Sequence, residues 1–139
     1  MLNKNILYHV HKEGFKEGEV YEAYKIFFGT LVSESRLKII NLLRKGEKSV
    51  SKIVEVLKLP QPTVSHDLAR LKKCGFVKVK TVKNFRYYSL NEMTIEHLMS
   101  LIDYHMAEYC IHILHETKRN QGFLKHSNIG KGSNMKGGK

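Results

Sequence analysis

Cysteine is scarce in this sequence: Cys74 and Cys110 are the two thiols in 139 residues. Two are too few for a disulfide framework or a four-cysteine zinc site, and a reducing cytoplasm is their simplest setting. Long apolar runs are missing as well. No stretch approaches the roughly 18 residues a membrane span needs, so no membrane partner is expected. The opening MLNKNILYHVHKEG has neither a long apolar stretch nor a small-residue cleavage site, so a secretory signal is not expected. There is no phosphate-binding glycine loop and no nucleophile motif, which argues against an enzyme. Acids are absent from particular places. Residues 61–90 set seven Lys and Arg against Asp67 alone, and residues 118–139 carry six Lys and Arg and no acid. Residues 91–117 reverse the balance, with five acids and no Lys or Arg.

What is present follows from that distribution. The formal net charge is +11, gathered in one central segment and one tail beside an acidic segment. Such polarity suits one face for a polyanion and another for a different partner. Three regions are expected: an N-terminal arm over 1–17, a folded domain over 18–117, and a disordered basic tail over 118–139, rich in Gly, Lys, Ser and Asn.

Within the domain, Tyr21, Tyr24, Phe28 and Leu31 fall at helical spacing. Ser33 suits the N-cap of a second helix, with Leu37, Ile39, Ile40, Leu42 and Leu43 as its apolar residues and a stop near Gly46. Val50, Ile53, Val54 and Leu57 mark a short third helix that Pro60 ends. QPTVSHDLARLKKCGF predicts a fourth helix, with Gln61 as cap, Pro62 in the first turn and Gly75 just past the end. Val64, Leu68 and Leu71 form its inward stripe. The period then changes to two: FVKVKTV and FRYYSL predict a hairpin turning at Lys83-Asn84, where Asn tolerates the left-handed conformation. Asn91 suits the cap of a long fifth helix through Ile95, Leu98, Ile102, His105, Tyr109 and Ile113. The fold class is mainly α with a small β-hairpin: a winged helix-turn-helix of about five helices and a two-stranded wing.

The run FFGTLVSESRLKIINLLRKGEKSVSKIVEVLKLPQPTVSHDLARLKKCGFVKVKTVKNFRYYSLN, residues 27–91, resembles the ArsR/SmtB family of transcriptional repressors. SRLKIINLL, QPTVSHDLARL, CGFVKVK and FRYYSLN carry the resemblance together. It implies a homodimeric, sequence-specific DNA-binding regulator that reads a palindromic operator in double-stranded DNA.

The residues support that reading. At 100° per residue, Leu68 and Leu71 lie within about 40° of Val64. Pro62, His66, Ala69 and Lys73 lie opposite, flanked by Thr63, Ser65 and Arg70. A recognition helix needs small or hydrogen-bonding groups near its N-terminus, where it approaches base edges. Gln61, Thr63, Ser65 and His66 are therefore candidate base or phosphate contacts. Arg70 suits either, and Lys73 suits phosphate. The family often has histidine where this chain has Asp67, which lies near the core edge and is expected to make a structural pairing. On the hairpin, Lys78 and Lys80 share a face, with Lys83 and Arg86 at the tip and return. Next to the recognition helix, this basic row suits a phosphate backbone. Non-specific DNA binding and a winged-helix protein-interaction module are the alternatives.

The fifth helix is acidic and offers more apolar surface than one small domain covers, which predicts a two-fold dimer through it and the first helix. Two recognition helices would then lie about one DNA turn, near 34 Å, apart. The resemblance also raises a metal effector. A cysteine pair in relatives corresponds here to Ser49 and Ser51, so soft-metal sensing at that position is not expected. A second family site, on the last helix, corresponds to Asp103, His105, His112 and His115, residue types suited to Zn²⁺ or a similar divalent ion. Six residues separate His105 from His112, about one helical turn less than the family spacing. His105 and His112 also suit a plain dimer seam. His9 and His11 form an additional H-x-H in the arm.

Overall fold

The computed structural model describes residues 1–129 of the chain. Helix α1 (Lys4–Lys12) and a single 3₁₀ turn (Glu17–Glu19) lead into α2 (Val20–Leu31) and α3 (Glu34–Leu43). Strand β1 (Lys48–Ser49), α4 (Val50–Leu57), α5 (Gln61–Lys73) and the hairpin β2 (Val77–Val82) and β3 (Phe85–Leu90) follow. These elements belong to one compact unit, residues 1–96. A second unit starts at His97. It contains α6 (His97–His105), a π-helical turn (Met106–Cys110) and α7 (Ile111–Ile129). No helix among the described residues is long and apolar enough to cross a membrane.

The core of the first unit lies where α3, α4, α5 and the hairpin meet. Ile39, Ile40 and Leu43 of α3, Ile53 of α4, and Val64, Leu68 and Leu71 of α5 are buried with Phe76, Val77 and Leu90. The inward stripe of α5 is therefore the expected one. Phe76 is fully buried and its ring lies 5.1 Å from that of Phe27 on α2.

Local chemistry sets the boundaries. Ser33 caps α3, its side chain accepting from the Arg36 N–H at 3.3 Å. Ser49 caps α4 in the same way, accepting from the Lys52 N–H at 3.2 Å. Lys58 closes α4 in the left-handed region, with φ 54° and ψ 37°. Pro60 is the N-cap of α5, so Gln61 and Pro62 lie one position further into the helix than expected. Gly75, at φ 79°, follows the Cys74 C-cap. Asn91 accepts from the Met93 N–H at 3.2 Å and donates to the Gly75 carbonyl at 3.0 Å.

Four expectations need correction. The hairpin is part of a three-stranded antiparallel sheet in the order β1-β3-β2, because Lys48 and Ser49 pair with Tyr88 and Tyr87. At its turn Lys83, not Asn84, takes the positive φ, 56°. The α2 stripe is only partly inward: Leu31 is buried, with Val20 and Thr30, while Tyr21, Tyr24 and Phe28 are exposed. Finally, α7 continues to Ile129, into the stretch expected to be irregular. That stretch has no proline and only Gly122 before residue 130, and Lys, Arg, Gln and Leu are good helix formers. The rest of the basic tail, 130–139, lies outside the described residues.

Candidate nucleic-acid interface

Helix α5 has two distinct sides. Val64, Asp67, Leu68 and Leu71 face inward and are buried. Gln61, Ser65, His66, Ala69, Lys72 and Lys73 are exposed, and Thr63 and Arg70 are half-buried. The outer face therefore presents an amide, a hydroxyl, an imidazole and cations, with no large apolar side chain. Pro60 gives the helix no side-chain cap, so the first N–H groups of α5 have no side-chain acceptor of the Ser33 or Ser49 kind.

The buried Asp67 has two partners. Its Oδ2 accepts from the Ser35 hydroxyl at 2.5 Å, and its Oδ1 lies 3.3 Å from Arg36 Nη1. Arg36 also donates from Nε to the Thr30 carbonyl at 2.7 Å and from Nη2 to the Gly29 carbonyl at 3.3 Å. Arg36 thus satisfies the last carbonyls of α2 and ties them to α5, a favourable place for a cation at a helix C-terminus. A second tie runs through the buried Thr30 hydroxyl. It donates to the Ile26 carbonyl at 2.8 Å, accepts from Arg70 Nε at 3.3 Å, and lies 3.4 Å from Cys74 Sγ. Sequence reasoning assigned no role to Arg36, Ser35 or Thr30. The buried position of Asp67 on the helical wheel was the one available signal.

The wing carries its charge on both faces. Lys78 pairs with Ser89 and Lys80 with Tyr87, which puts the two lysines on one face. Arg86 pairs with Thr81, so the tight turn sets it on the other face. Lys78, Lys80, Lys83 and Arg86 are all exposed. Lys80 Nζ lies 3.4 Å from Glu47 Oε1, a surface ion pair between the wing and the loop before β1.

In the second unit, Asp103 and His105 lie on α6, and His112 and His115 lie on α7. The π-helical turn between them changes their angular relation from that of an unbroken α-helix. Among the described residues of one chain, no three His, Cys, Asp or Glu side chains gather as a metal site. The His105 ring instead lies 4.8 Å from that of Tyr109. Cys74 is half-buried and Cys110 exposed, both as free thiols.

The profile of the bacterial regulatory protein arsR family matches residues 33–79, which run from the α3 cap into the wing. The HTH-type transcriptional regulator MJ1325 of Methanocaldococcus jannaschii is 36% identical over 86 residues, covering 61% of this chain and 97% of that protein. The chain belongs to the ArsR family. It is a transcriptional regulator with a winged helix-turn-helix domain, not an enzyme. Regulators named for metal resistance are among the relatives of this ArsR-family protein. The cadmium resistance transcriptional regulatory protein CadC of Listeria innocua is 36% identical over 76 residues, 54% of this chain and 64% of that one. The homodimeric winged helix-turn-helix DNA-binding domain Mb0332 of Mycobacterium bovis shares the fold, with a TM-score of 0.63 at 24% identity over 71% of this chain and 94% of that one.

Proposed function

We propose that this regulator binds a palindromic DNA operator as a homodimer in the cytoplasm and represses transcription there. Helix α5 enters the major groove, with Gln61, Thr63, Ser65 and His66 at base edges or phosphates. Arg70 and Lys73 follow along the helix, and Lys78, Lys80, Lys83 and Arg86 of the wing meet the backbone. The observation that carries this reading is the outer face of α5: small, polar and cationic side chains, with a basic hairpin directly after the helix. Residues 18–117 form the DNA-binding and dimerising region in this scheme, and the basic tail adds sequence-independent affinity.

Selection of preferred duplexes from a random pool tests it. The expected result is one palindrome, bound roughly 10³-fold or more tightly than random DNA. Equal affinity for all duplexes at every salt concentration would favour non-specific packaging, and no salt-dependent binding would favour a protein-interaction module.

A second reading concerns the effector. Similarity to the cadmium-resistance regulator CadC supports a divalent metal as inducer. Asp103 and His105 of one chain with His112 and His115 of a second chain supply suitable ligands for zinc. Ser49, which caps α4, and Ser51 carry hydroxyls, so the family's cysteine positions offer no thiolate here. Zinc titration of the purified protein, with operator binding followed, decides the matter: unchanged affinity at stoichiometric zinc would remove metal release from the scheme.

A further inference from the structure

A cavity of about 350 Å³ opens between α2 and the C-terminal end of α5. Ala23, Ile26, Phe27 and Phe76 supply its apolar walls, and Arg70 and Lys73 stand among its lining with no acid. Two aromatic rings and two aliphatic side chains beside two cations form an asymmetric lining. It suits neither a sugar nor a cation, and an apolar molecule would leave the charges unanswered. Its size is at the lower end of ligand pockets, which begin near 300 Å³.

The cations are available. Arg70 is held by Nε on the Thr30 hydroxyl at 3.3 Å, and its Nη1 and Nη2 make no hydrogen bond to the described residues. Lys73 makes no ion pair with a described residue. A guanidinium anchored at Nε presents its remaining nitrogens as a fork, the geometry that matches a carboxylate.

We infer that this cavity binds a small organic anion: a carboxylate on an aromatic or short alkyl body, with the body against Ala23, Ile26 and the cavity side of the packed Phe27–Phe76 pair and the carboxylate at Arg70 and Lys73. The consequence follows from the position of these two cations on the recognition helix. A carboxylate that occupies them takes two positive charges from the DNA face, so anion and duplex compete. The binding half of the inference stands by itself, and the competition half rests on Arg70 and Lys73 being DNA contacts.

The test uses the full-length protein, 4-phenylbutyrate as probe and its alcohol, 4-phenyl-1-butanol, as neutral counterpart. Calorimetry without DNA is expected to show saturable binding of the acid and at least about tenfold weaker binding of the alcohol. Lys73→Gln should weaken the acid and leave the alcohol unchanged. Ala23→Leu fills the cavity with a good helix former and should abolish binding of both. Absence of heat for the acid up to ~10 mM, or equal affinity for acid and alcohol, overturns the site. Affinity for a random-sequence duplex at low salt is then measured with and without saturating acid, in wild type and Ala23→Leu. A several-fold loss in wild type alone supports competition. An acid that binds without moving duplex affinity overturns competition and leaves the pocket standing. A protein that takes the acid but binds no duplex at any salt overturns the DNA reading itself.

Discussion

Arg36 and Asp67 join α3 to the recognition helix through a 3.3 Å ion pair in which the carboxylate is nearly buried. The same guanidinium closes the end of α2 through the carbonyls of Gly29 and Thr30. One side chain therefore sets the position of α5 relative to two other helices. Asp67→Ala should destabilise the protein by about 2–3 kcal/mol, because a largely buried cation loses its carboxylate while keeping its carbonyl partners. Arg36→Lys should cost a similar amount, since an ammonium cannot serve both carbonyls and the carboxylate from a planar fork. Urea unfolding with an unchanged m-value measures this, and a loss below about 0.5 kcal/mol in both variants would show that α5 is held by its apolar stripe alone.

The ion pair of Glu47 and Lys80 has the opposite character. Both side chains are about half exposed, so the pair contributes little to stability, about 0–1 kcal/mol. Its effect is on charge: Glu47 offsets a lysine that, in the proposed DNA complex, the wing presents to phosphate. Glu47→Gln should leave stability almost unchanged, raise duplex affinity several-fold at low salt, and steepen the salt dependence. Lys80→Ala should weaken binding evenly across sequences and reduce the salt slope by about one. Replacing Ser65 or His66 should instead alter which bases are preferred. Filter or fluorescence binding at three salt concentrations separates the two behaviours.

Much of this arrangement is legible in the residues because its signals are local. Val64, Leu68 and Leu71 repeat at helical spacing, Gly75 marks a helix end, and alternating valine and lysine mark a strand. Ser33 announces a cap. The parts that were not legible depend on partners distant in sequence. Nothing near Lys48 and Ser49 reveals that they pair with Tyr88 and Tyr87. Nothing near Arg36 shows that Asp67 is its partner. The α2 stripe divides for a related reason: Tyr21, Tyr24, Phe28 and Leu31 share one helical spacing, yet of these four the core of this chain takes Leu31 alone, together with Val20. Periodicity identifies an apolar stripe but does not say which molecule covers it. Lys83 and Lys58 show a further limit, because lysine carries no signal for the left-handed backbone both adopt.

Lys58 offers a direct test of that backbone conformation. It lies in the turn between α4 and α5 at φ 54° and ψ 37°, where a Cβ is unfavourable by roughly 1–2 kcal/mol. Lys58→Gly should stabilise the protein by about 0.5–1 kcal/mol after the greater entropy of glycine in the unfolded chain is deducted. Lys58→Ala removes the charge and keeps the strain, so it should leave stability within about 0.5 kcal/mol of wild type. A glycine variant no more stable than the alanine variant would mean that strain at this turn is relieved elsewhere. Thermal unfolding of the three proteins under one buffer condition resolves the difference.

The exposed face of α2 carries the last prediction. Tyr21, Tyr24 and Phe28 are exposed in a single chain, and Phe28 is 57% exposed. Singly exposed aromatics are ordinary, but three at one helical spacing form a patch that water disfavours. A second copy of the chain would cover it, as the homodimeric reading requires. Phe28→Asp should then leave the folded domain intact, since the side chain contributes little to the monomer core, and shift the protein from dimer to monomer. A monomer presents one recognition helix instead of two, so affinity for a palindrome should fall to that of a half-site while binding to random DNA falls less. Sedimentation equilibrium measures the first effect and operator titration the second. A Phe28→Asp protein that stays dimeric with unchanged operator affinity would place the seam elsewhere, away from α2.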